Sequence, residues 1–197
     1  MKRWIQGVLP LIMGVALTGC ATSFISGDLP AVKRFPDRHP VKSIYVDVAF
    51  SGKLNGKPWT SNDAYNTKYL QQQCEKRLKE SGMFGFVSSE LKSTDLVLHV
   101  AIINEKRQNP TAQTLSGFTL FIVPYKSSDD FRLLAAVKNP RTGEEKTINL
   151  NTTVSHWQSL FLIPFSPFNR PSTKLETATD RLIDNLVMEL HRSGMVN

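Results

Sequence analysis

The sequence lacks the short catalytic signatures by which many enzymes can be identified. It contains no G-x-S-x-G, no H-E-x-x-H and no Cys with a His in a local nucleophile pattern. Asp129 and Asp130 are adjacent and would point to opposite faces of a strand, so a paired-carboxylate site is not expected. We therefore expect a protein that is not an enzyme and that holds no metal and no cofactor.

Long apolar runs and concentrated charge of one sign are also missing. The apolar segment near the N-terminus is broken by Gly7, Pro10 and Gly14 and falls short of the ~20 residues of a spanning helix. The net charge of +7 is spread along the chain, and the basic residues of 76–79 stand beside glutamates. That pattern is typical of a solvated helix face, and it argues against nucleic-acid binding.

What the sequence does contain is a secretion signal over residues 1–19. Lys2 and Arg3 begin it, an apolar segment follows, and it closes on Leu17-Thr18-Gly19-Cys20. This ending resembles the lipobox of Gram-negative envelope lipoproteins. The resemblance implies cleavage before Cys20, a diacylglycerol on its thiol and a fatty acid such as palmitate on the new amino terminus. More than one acyl chain gives stable membrane anchoring.

The residue after the lipobox cysteine also carries information through this resemblance. Ala21 stands where lipoproteins kept in the inner membrane often carry Asp. The resemblance therefore implies a lipid-anchored protein in the cell outer membrane, facing the periplasm. Once Cys20 is lipidated, Cys74 has no intramolecular partner, and its helical neighbours Leu70 and Leu78 predict a small buried core residue.

Composition divides the rest of the chain into two parts. Residues 20–42 include Gly27 and three prolines and show little periodicity, which predicts the lipidated cysteine followed by a flexible tether. Residues 43–197 are enough for a single globular domain with its own core.

Periodicity within residues 43–197 predicts an α+β (two-layer α/β) fold. Apolar residues alternate over 44–50, 131–137 and 148–154, with a reversal at 139–143 that makes the last two an antiparallel hairpin. Helices are predicted from about residue 61 to Gly82 and from a T-x-x-E capping box at 173–176. A short strand near 83–87 and a central one over 96–103 complete a mixed sheet of about five strands, in the order β-α-β-β-β-β-α, with two helices packed on it.

Two details of this prediction depend on local pattern alone. The run 96–103 is almost continuously apolar, so we expect both its faces to be covered and His99 to be a hydrogen-bonded core histidine. Residues 104–114 are polar and contain Asn109-Pro110, which predicts a loop.

One constellation stands apart from the fold pattern. Residues 120–125 and 160–165 both read Leu-Phe-aliphatic-aliphatic-Pro-aromatic, one before the hairpin and one after it, so they should be neighbours in space. They are either part of the domain's core or an apolar interaction edge that meets a bilayer, an acyl chain or a protein. The candidate residues of this edge, within 118–125 and 160–168, are Phe118, Leu120, Phe121, Ile122, Pro124, Leu160, Phe161, Leu162, Pro164 and Phe165.

The layout of the mature chain resembles small periplasm-facing lipoproteins of Gram-negative envelopes. More loosely, its element order is similar to lipoproteins that assist larger machines, such as penicillin-binding-protein activators, curli-type secretion lipoproteins and transporter auxiliaries. We therefore expect a membrane-anchored accessory component that binds an envelope protein or lipid through the apolar edge. The alternative is a cell-wall or lipid hydrolase with an unrecognised active site, for which His156, Asp129 and Asp130 are the groups to test.

Overall fold

The computed structural model describes residues 21–27, 29–36, 42–60, 62–90, 93–165 and 168–196. Seven strands form one mixed sheet: β1 (Ala21–Ser26), β2 (Ser43–Leu54), β3 (Lys57–Pro58), β4 (Phe86–Ser88), β5 (Leu96–Arg107), β6 (Tyr125–Lys138) and β7 (Glu145–Gln158). The helices are α1 (Asp63–Glu80), α2 (Pro110–Phe118) and α3 (Pro171–Arg192), with a 3₁₀ helix at Leu160–Phe165. The predicted signal peptide and Cys20 lie outside the described residues.

The sheet is ordered β1-β7-β6-β5-β2-β3, and β4 also pairs with β2. Strand β2 runs parallel to β4 and β5, as the β-α-β start predicted, and the other pairs are antiparallel. One end of the sheet therefore holds the starts of β1 and β6 and the ends of β2, β5 and β7. We call it the N-terminal end of the sheet, because the described chain begins there.

The core lies between the sheet and helices α1 and α3. Alternate residues of the central strands face the helices, and α1 buries Leu70, Cys74 and Leu78. Helix α3 buries a wider stripe that includes Leu182, Ile183 and Leu186. Arg77 of α1 donates to Asp184 of α3, with Nε 2.8 Å from Oδ1, which ties the two helices together. The predicted α+β class, with two helices packed on a mixed sheet, is confirmed, although the sheet has seven strands rather than about five.

The prediction for the central strand is wrong in one respect. Strand β5 does lie between β6 and β2, but its residues alternate between buried and more exposed positions, so among the described residues one face of the sheet is covered and the other is not. His99 points to the uncovered face, where Nδ1 lies 3.3 Å from Asp47 Oδ2. It is exposed and is not a core histidine.

The segment predicted as a flexible tether is largely part of the domain. Residues Ala21–Ser26 form the edge strand β1, paired along its length with β7. Farther on, Leu29 and Phe35 pack against the core, and Asn185 Nδ2 donates to the carbonyl of Pro30 at 2.9 Å. The prediction failed because Ala21–Ser26 is short, half polar and without a period-two apolar pattern, so nothing local marks it as a strand.

Two local predictions also need correction. Strand β5 continues to Arg107 and is followed by α2, capped by Asn109, whose Oδ1 accepts from the Ala112 N–H at 3.1 Å. Residues 104–114 are therefore not a loop. Helix α3 begins at Pro171 with Arg170 at its N-cap and no side-chain cap bond, so the capping box at 173–176 is wrong. The cap of α1 follows the prediction, with Gly82 at φ +66°.

Candidate functional site

The most unusual surface of the protein is apolar and lies at the N-terminal end of the sheet. Here α2, the turn after it and the 3₁₀ helix expose large side chains to water. Phe118 is 85% exposed, Phe168 81% and Phe161 69%. We call this surface the apolar tip; its exposed members are Leu115, Phe118, Leu120, Ile122, Val123, Leu160, Phe161, Ile163, Phe165 and Phe168.

Polar side chains hold the first half of the tip in place from below. The buried Ser116 hydroxyl donates to the Val123 carbonyl at 2.7 Å, and the Val123 N–H donates to Thr119 Oγ1 at 3.2 Å. The Phe121 N–H donates to the Ser116 carbonyl at 2.7 Å. These bonds satisfy the backbone of the turn, so its apolar side chains are left facing outward.

The turn contains two residues in a costly conformation. Leu120 has φ +51° and Phe121 has φ +63°, in the left-handed region that side chains larger than glycine rarely adopt. Each such residue costs about 1–2 kcal/mol of conformational free energy. Strained backbone of this kind concentrates at functional sites, where the surrounding structure holds it in place.

The two repeated segments meet, as the hairpin predicted. The Leu160 N–H donates to the Phe121 carbonyl at 2.9 Å, which joins the turn to the 3₁₀ helix. Phe121 and Leu162 are half-buried, while the eight other candidate residues of the edge are exposed, Pro124 and Pro164 included. The interpretation of the two segments as part of the domain's core is therefore wrong.

Strand β1 brings Ala21, the residue that follows the predicted lipidation site, to the same surface. Ala21 pairs with Gln158, and Gln158 also pairs with Tyr125, so the strand starts where both tip segments attach. The Ser23 N–H donates to the Asn169 carbonyl at 2.9 Å, so the chain after the 3₁₀ helix covers the outer edge of β1. Cys20 is bonded to Ala21 and lies outside the described residues.

Basic and aromatic side chains surround the tip. Lys126 Nζ lies 5.5 Å from the centre of the Trp157 ring, and Lys106 Nζ lies 5.9 Å from that of Trp59. Residues 105–127 and 157–176, which form the tip and its flanks, contain five basic and two acidic residues. The basic residues are Lys106, Arg107, Lys126, Arg170 and Lys174.

A buried polar chain lies beneath the tip, on the face of the sheet that carries α1 and α3. Ser23 Oγ is 2.6 Å from His156 Nδ1, and His156 Nε2 is 2.7 Å from Asp129 Oδ2. Asn104 Nδ2 donates to Asp129 Oδ1 at 3.1 Å. We call these four residues the buried relay. Burial alone would raise the pKa of Asp129, but the hydrogen bonds from His156 and Asn104 outweigh it and hold that pKa below its ordinary value.

The relay joins the edge strand to the centre of the sheet. Ser23 is fully buried, and His156 and Asp129 are buried as well. Since a carboxylate only accepts, Nε2 carries the proton and donates to Asp129, and in the neutral ring Nδ1 accepts from Ser23. His156, Asp129 and Asp130 are the groups named from the sequence for the hydrolase alternative. Ser23 is not among them, because it lies in the segment predicted to be a flexible tether.

The remaining candidate residues fall elsewhere. Asp130 points to the uncovered face, where Oδ1 accepts from Thr153 and Oδ2 lies 3.0 Å from Arg107 Nε. Cys74 is a buried core residue as predicted, and burial raises the pKa of its thiol to about 12. Within the described ranges, no three His, Cys, Asp or Glu side chains gather into a group that could hold a metal ion. No helix in that part of the chain is long and apolar enough to cross a bilayer.

Comparison with known proteins finds structures with a similar fold but assigns the chain to no family. No protein family model and no curated protein match the sequence. A putative neuraminyllactose-binding hemagglutinin homolog from Helicobacter pylori is similar with a TM-score of 0.51 at 12% identity, over 85% of this chain and 94% of that one. This is a likeness of fold alone.

Two further solved structures are more distant. One is a DUF330 protein from Xanthomonas campestris, with a TM-score of 0.41 and 14% identity over 84% of this chain and 94% of that one. The other is a minor lipoprotein from Acinetobacter baumannii, with a TM-score of 0.36 and 15% identity over 82% and 95%.

Proposed function

We propose that this protein is a lipid-anchored, non-enzymatic component of the outer membrane whose apolar tip embeds in the bilayer beside its acylated Cys20. The observation that carries the proposal is the position of Ala21. The residue that follows the lipidated cysteine is paired into the sheet at the end where the tip is exposed. The acyl chains and the tip therefore enter the same leaflet, and the rest of the domain faces the periplasm.

Strand β1 makes this arrangement rigid. A flexible tether would let the domain turn freely at the membrane surface. Instead, six consecutive residues from Ala21 to Ser26 pair with β7, so the body begins one residue after the anchor. The lipid attachment thus fixes which end of the domain meets the bilayer.

The exposed apolar area is large enough to orient the domain. Transfer of a whole Phe side chain out of water is worth about 1.5–3 kcal/mol. Four phenylalanines of the tip are each more than half exposed: Phe118, Phe161, Phe165 and Phe168. Their insertion contributes on the order of 4–8 kcal/mol. Since several acyl chains already anchor the protein stably, the tip serves to set its orientation.

The basic and tryptophan side chains beside the tip favour lipid rather than protein as its main binding partner. Trp157 and Trp59 are partly exposed beside the tip, and tryptophan favours the boundary between headgroups and acyl chains. Lys126 and Lys106 accompany these rings, at a depth where each basic side chain near an anionic surface contributes about 1 kcal/mol.

One observation favours the hydrolase alternative, namely the hydrogen-bonded chain Ser23–His156–Asp129. The geometry of this chain nevertheless indicates a structural role. The Ser23 side chain is fully buried and its partner is Nδ1, while the carboxylate holds Nε2. A nucleophile must reach a substrate, and this hydroxyl is enclosed by the strands that it joins. We therefore assign the relay the task of holding the anchor strand in the sheet.

A photo-crosslinker placed at position 161 of the full-length protein in living cells tests the proposal. The control is the same group at Phe86, which is 50% exposed on β4 at the opposite end of the sheet. We expect lipid adducts at position 161 and none at position 86. A single defined protein adduct at position 161, with no lipid adduct, would show that the tip is a protein-binding surface.

A further inference from the structure

A polar groove adjoins the tip and differs from it in chemistry. It occupies about 490 Å³ between the β2–β3 turn, the end of β5 and the start of β6. Every residue that lines it has a polar or charged side chain: Asn55, Glu105, Arg107, Gln108, Asn109, Lys126, Ser127 and Ser128.

The outer wall of this groove is held by hydrogen bonds. Asn55 donates from its backbone N–H to the Lys106 carbonyl and from Nδ2 to the Gln108 carbonyl, both at 2.9 Å. The Gln108 N–H donates back to Asn55 Oδ1 at 2.9 Å. The shape of the groove is therefore set before any ligand arrives.

Two basic residues line the groove, and they differ in their partners among the described residues. Arg107 is paired, since its Nε lies 3.0 Å from Asp130 Oδ2 and 3.7 Å from Glu105 Oε1. Lys126 is exposed, and among the described residues no carboxylate lies within 4 Å of its Nζ, which sits over Trp157. An anionic group that enters the groove would meet this ammonium first.

An apolar groove of about 470 Å³ continues along α2. It is lined by Pro110, Thr111, Thr114, Leu115 and Phe118, and so begins one residue after Asn109 of the polar groove. The polar groove, with Lys126 in its wall, thus borders an apolar groove that reaches Phe118 of the tip. This pairing matches an amphiphile that has a phosphate next to its acyl chains.

We propose that one anionic glycerophospholipid binds across the two grooves, with its phosphate at Lys126 and an acyl chain along Leu115 and Phe118. The inference rests on the proposed function, because it places this end of the sheet at the bilayer. It goes beyond general insertion by naming a single site with a headgroup preference. The phosphate accepts hydrogen bonds from the Lys126 ammonium and the neighbouring amide and hydroxyl groups.

The test is a fluorescence titration of the mature lipoprotein in detergent, with Trp157 as reporter in a Trp59→Phe background. The probe is dihexanoyl phosphatidylglycerol, and dihexanoyl phosphatidylcholine and inorganic phosphate are the comparison ligands. We expect saturable binding of phosphatidylglycerol, with at least tenfold weaker binding of both comparison ligands. Lys126→Gln should weaken binding at least tenfold, since the neutral amide removes the charged hydrogen bond to the phosphate. Phe118→Ser should also weaken it.

Lys138→Gln is the matched control, because Lys138 is exposed at the far end of the same strand. Its affinity for phosphatidylglycerol should equal that of the parent. The proposal fails if Lys126→Gln binds as well as Lys138→Gln, or if inorganic phosphate binds as tightly as phosphatidylglycerol. Because the titration uses no bilayer, its failure leaves the insertion of the tip to be judged separately by probes at Phe161.

Discussion

Removal of the Asp129 carboxylate should destabilise the whole domain, because the buried relay depends on it. In Asp129→Ala, the His156 Nε2–H and Asn104 Nδ2 both lose an acceptor inside the protein. Each unpaired buried donor costs about 1–3 kcal/mol. For the two donors together we expect the free energy of unfolding to fall by about 2–6 kcal/mol. For a chain of this size that lowers Tm by roughly 4–24 °C.

The neighbouring residue supplies a matched control. Asp130 is a carboxylate on the same strand with two partners, but its side chain is 30% exposed on the uncovered face. Asp130→Ala should therefore cost under about 1 kcal/mol. Asp129→Asn should recover most of the loss, because the amide can donate to Nε2 while the other tautomer of His156 donates to Ser23.

The assay is urea unfolding of each variant, followed by tryptophan fluorescence from pH 3 to pH 8. Because the pKa of Asp129 is lowered in the folded protein, its stabilising contribution is present above its ordinary pKa and is lost as pH falls through the folded value. The difference between parent and Asp129→Ala should therefore be constant near neutral pH and should shrink on acidification. Equal costs for Asp129→Ala and Asp130→Ala would refute the structural role of the relay.

The strained turn, the buried thiol and the predicted lipid anchor can each be tested by substitution or labelling. Leu120→Gly should leave stability unchanged or raise it by up to about 1 kcal/mol, because glycine relieves the positive φ. Leu115→Gly, which removes the same side chain from helix α2, should cost about 1 kcal/mol in the same urea assay; equal effects would show that the turn is unstrained. Cys74 should resist iodoacetamide at pH 8 until the protein unfolds, since burial raises its pKa to about 12; rapid labelling of the native protein would contradict its buried position. Cys20→Ala should lose fatty-acid labelling and leave the membrane fraction, and continued labelling would overturn the lipobox interpretation.

Elements with a repeated local pattern could be predicted from the sequence. The β6–β7 hairpin, the apolar stripe of α3 and the glycine that ends α1 all follow from spacing or backbone chemistry within a few residues. The meeting of 120–125 with 160–165 also followed, because a hairpin brings its two outer ends together. These features need no knowledge of the rest of the fold.

Features set by distant contacts were missed. Strand β1 is stabilised by β7, more than 120 residues away, and its turn-rich surroundings hid it. The buried relay depends on that pairing, so Ser23 could not be linked to His156 from sequence. The position of His99 was predicted wrongly because an apolar run does not reveal that, in the described part of the chain, one face of the sheet is uncovered. The sequence also left open whether the two repeated segments are buried or exposed, because that too depends on tertiary packing.

If the proposed function is correct, the apolar tip lies among acyl chains while the opposite end of the domain stays in water. The three tryptophans of the sequence are Trp4, within the predicted signal peptide, Trp59 and Trp157. Replacement of Trp59 and Trp157 by Phe therefore gives a mature chain without tryptophan, into which Phe161→Trp or Phe86→Trp is introduced. The most direct measurement is fluorescence quenching of these two variants, reconstituted in vesicles whose lipids are brominated on the acyl chains. We expect strong quenching at position 161 and none at position 86; equal quenching at both, or none at position 161, would show that the tip does not insert.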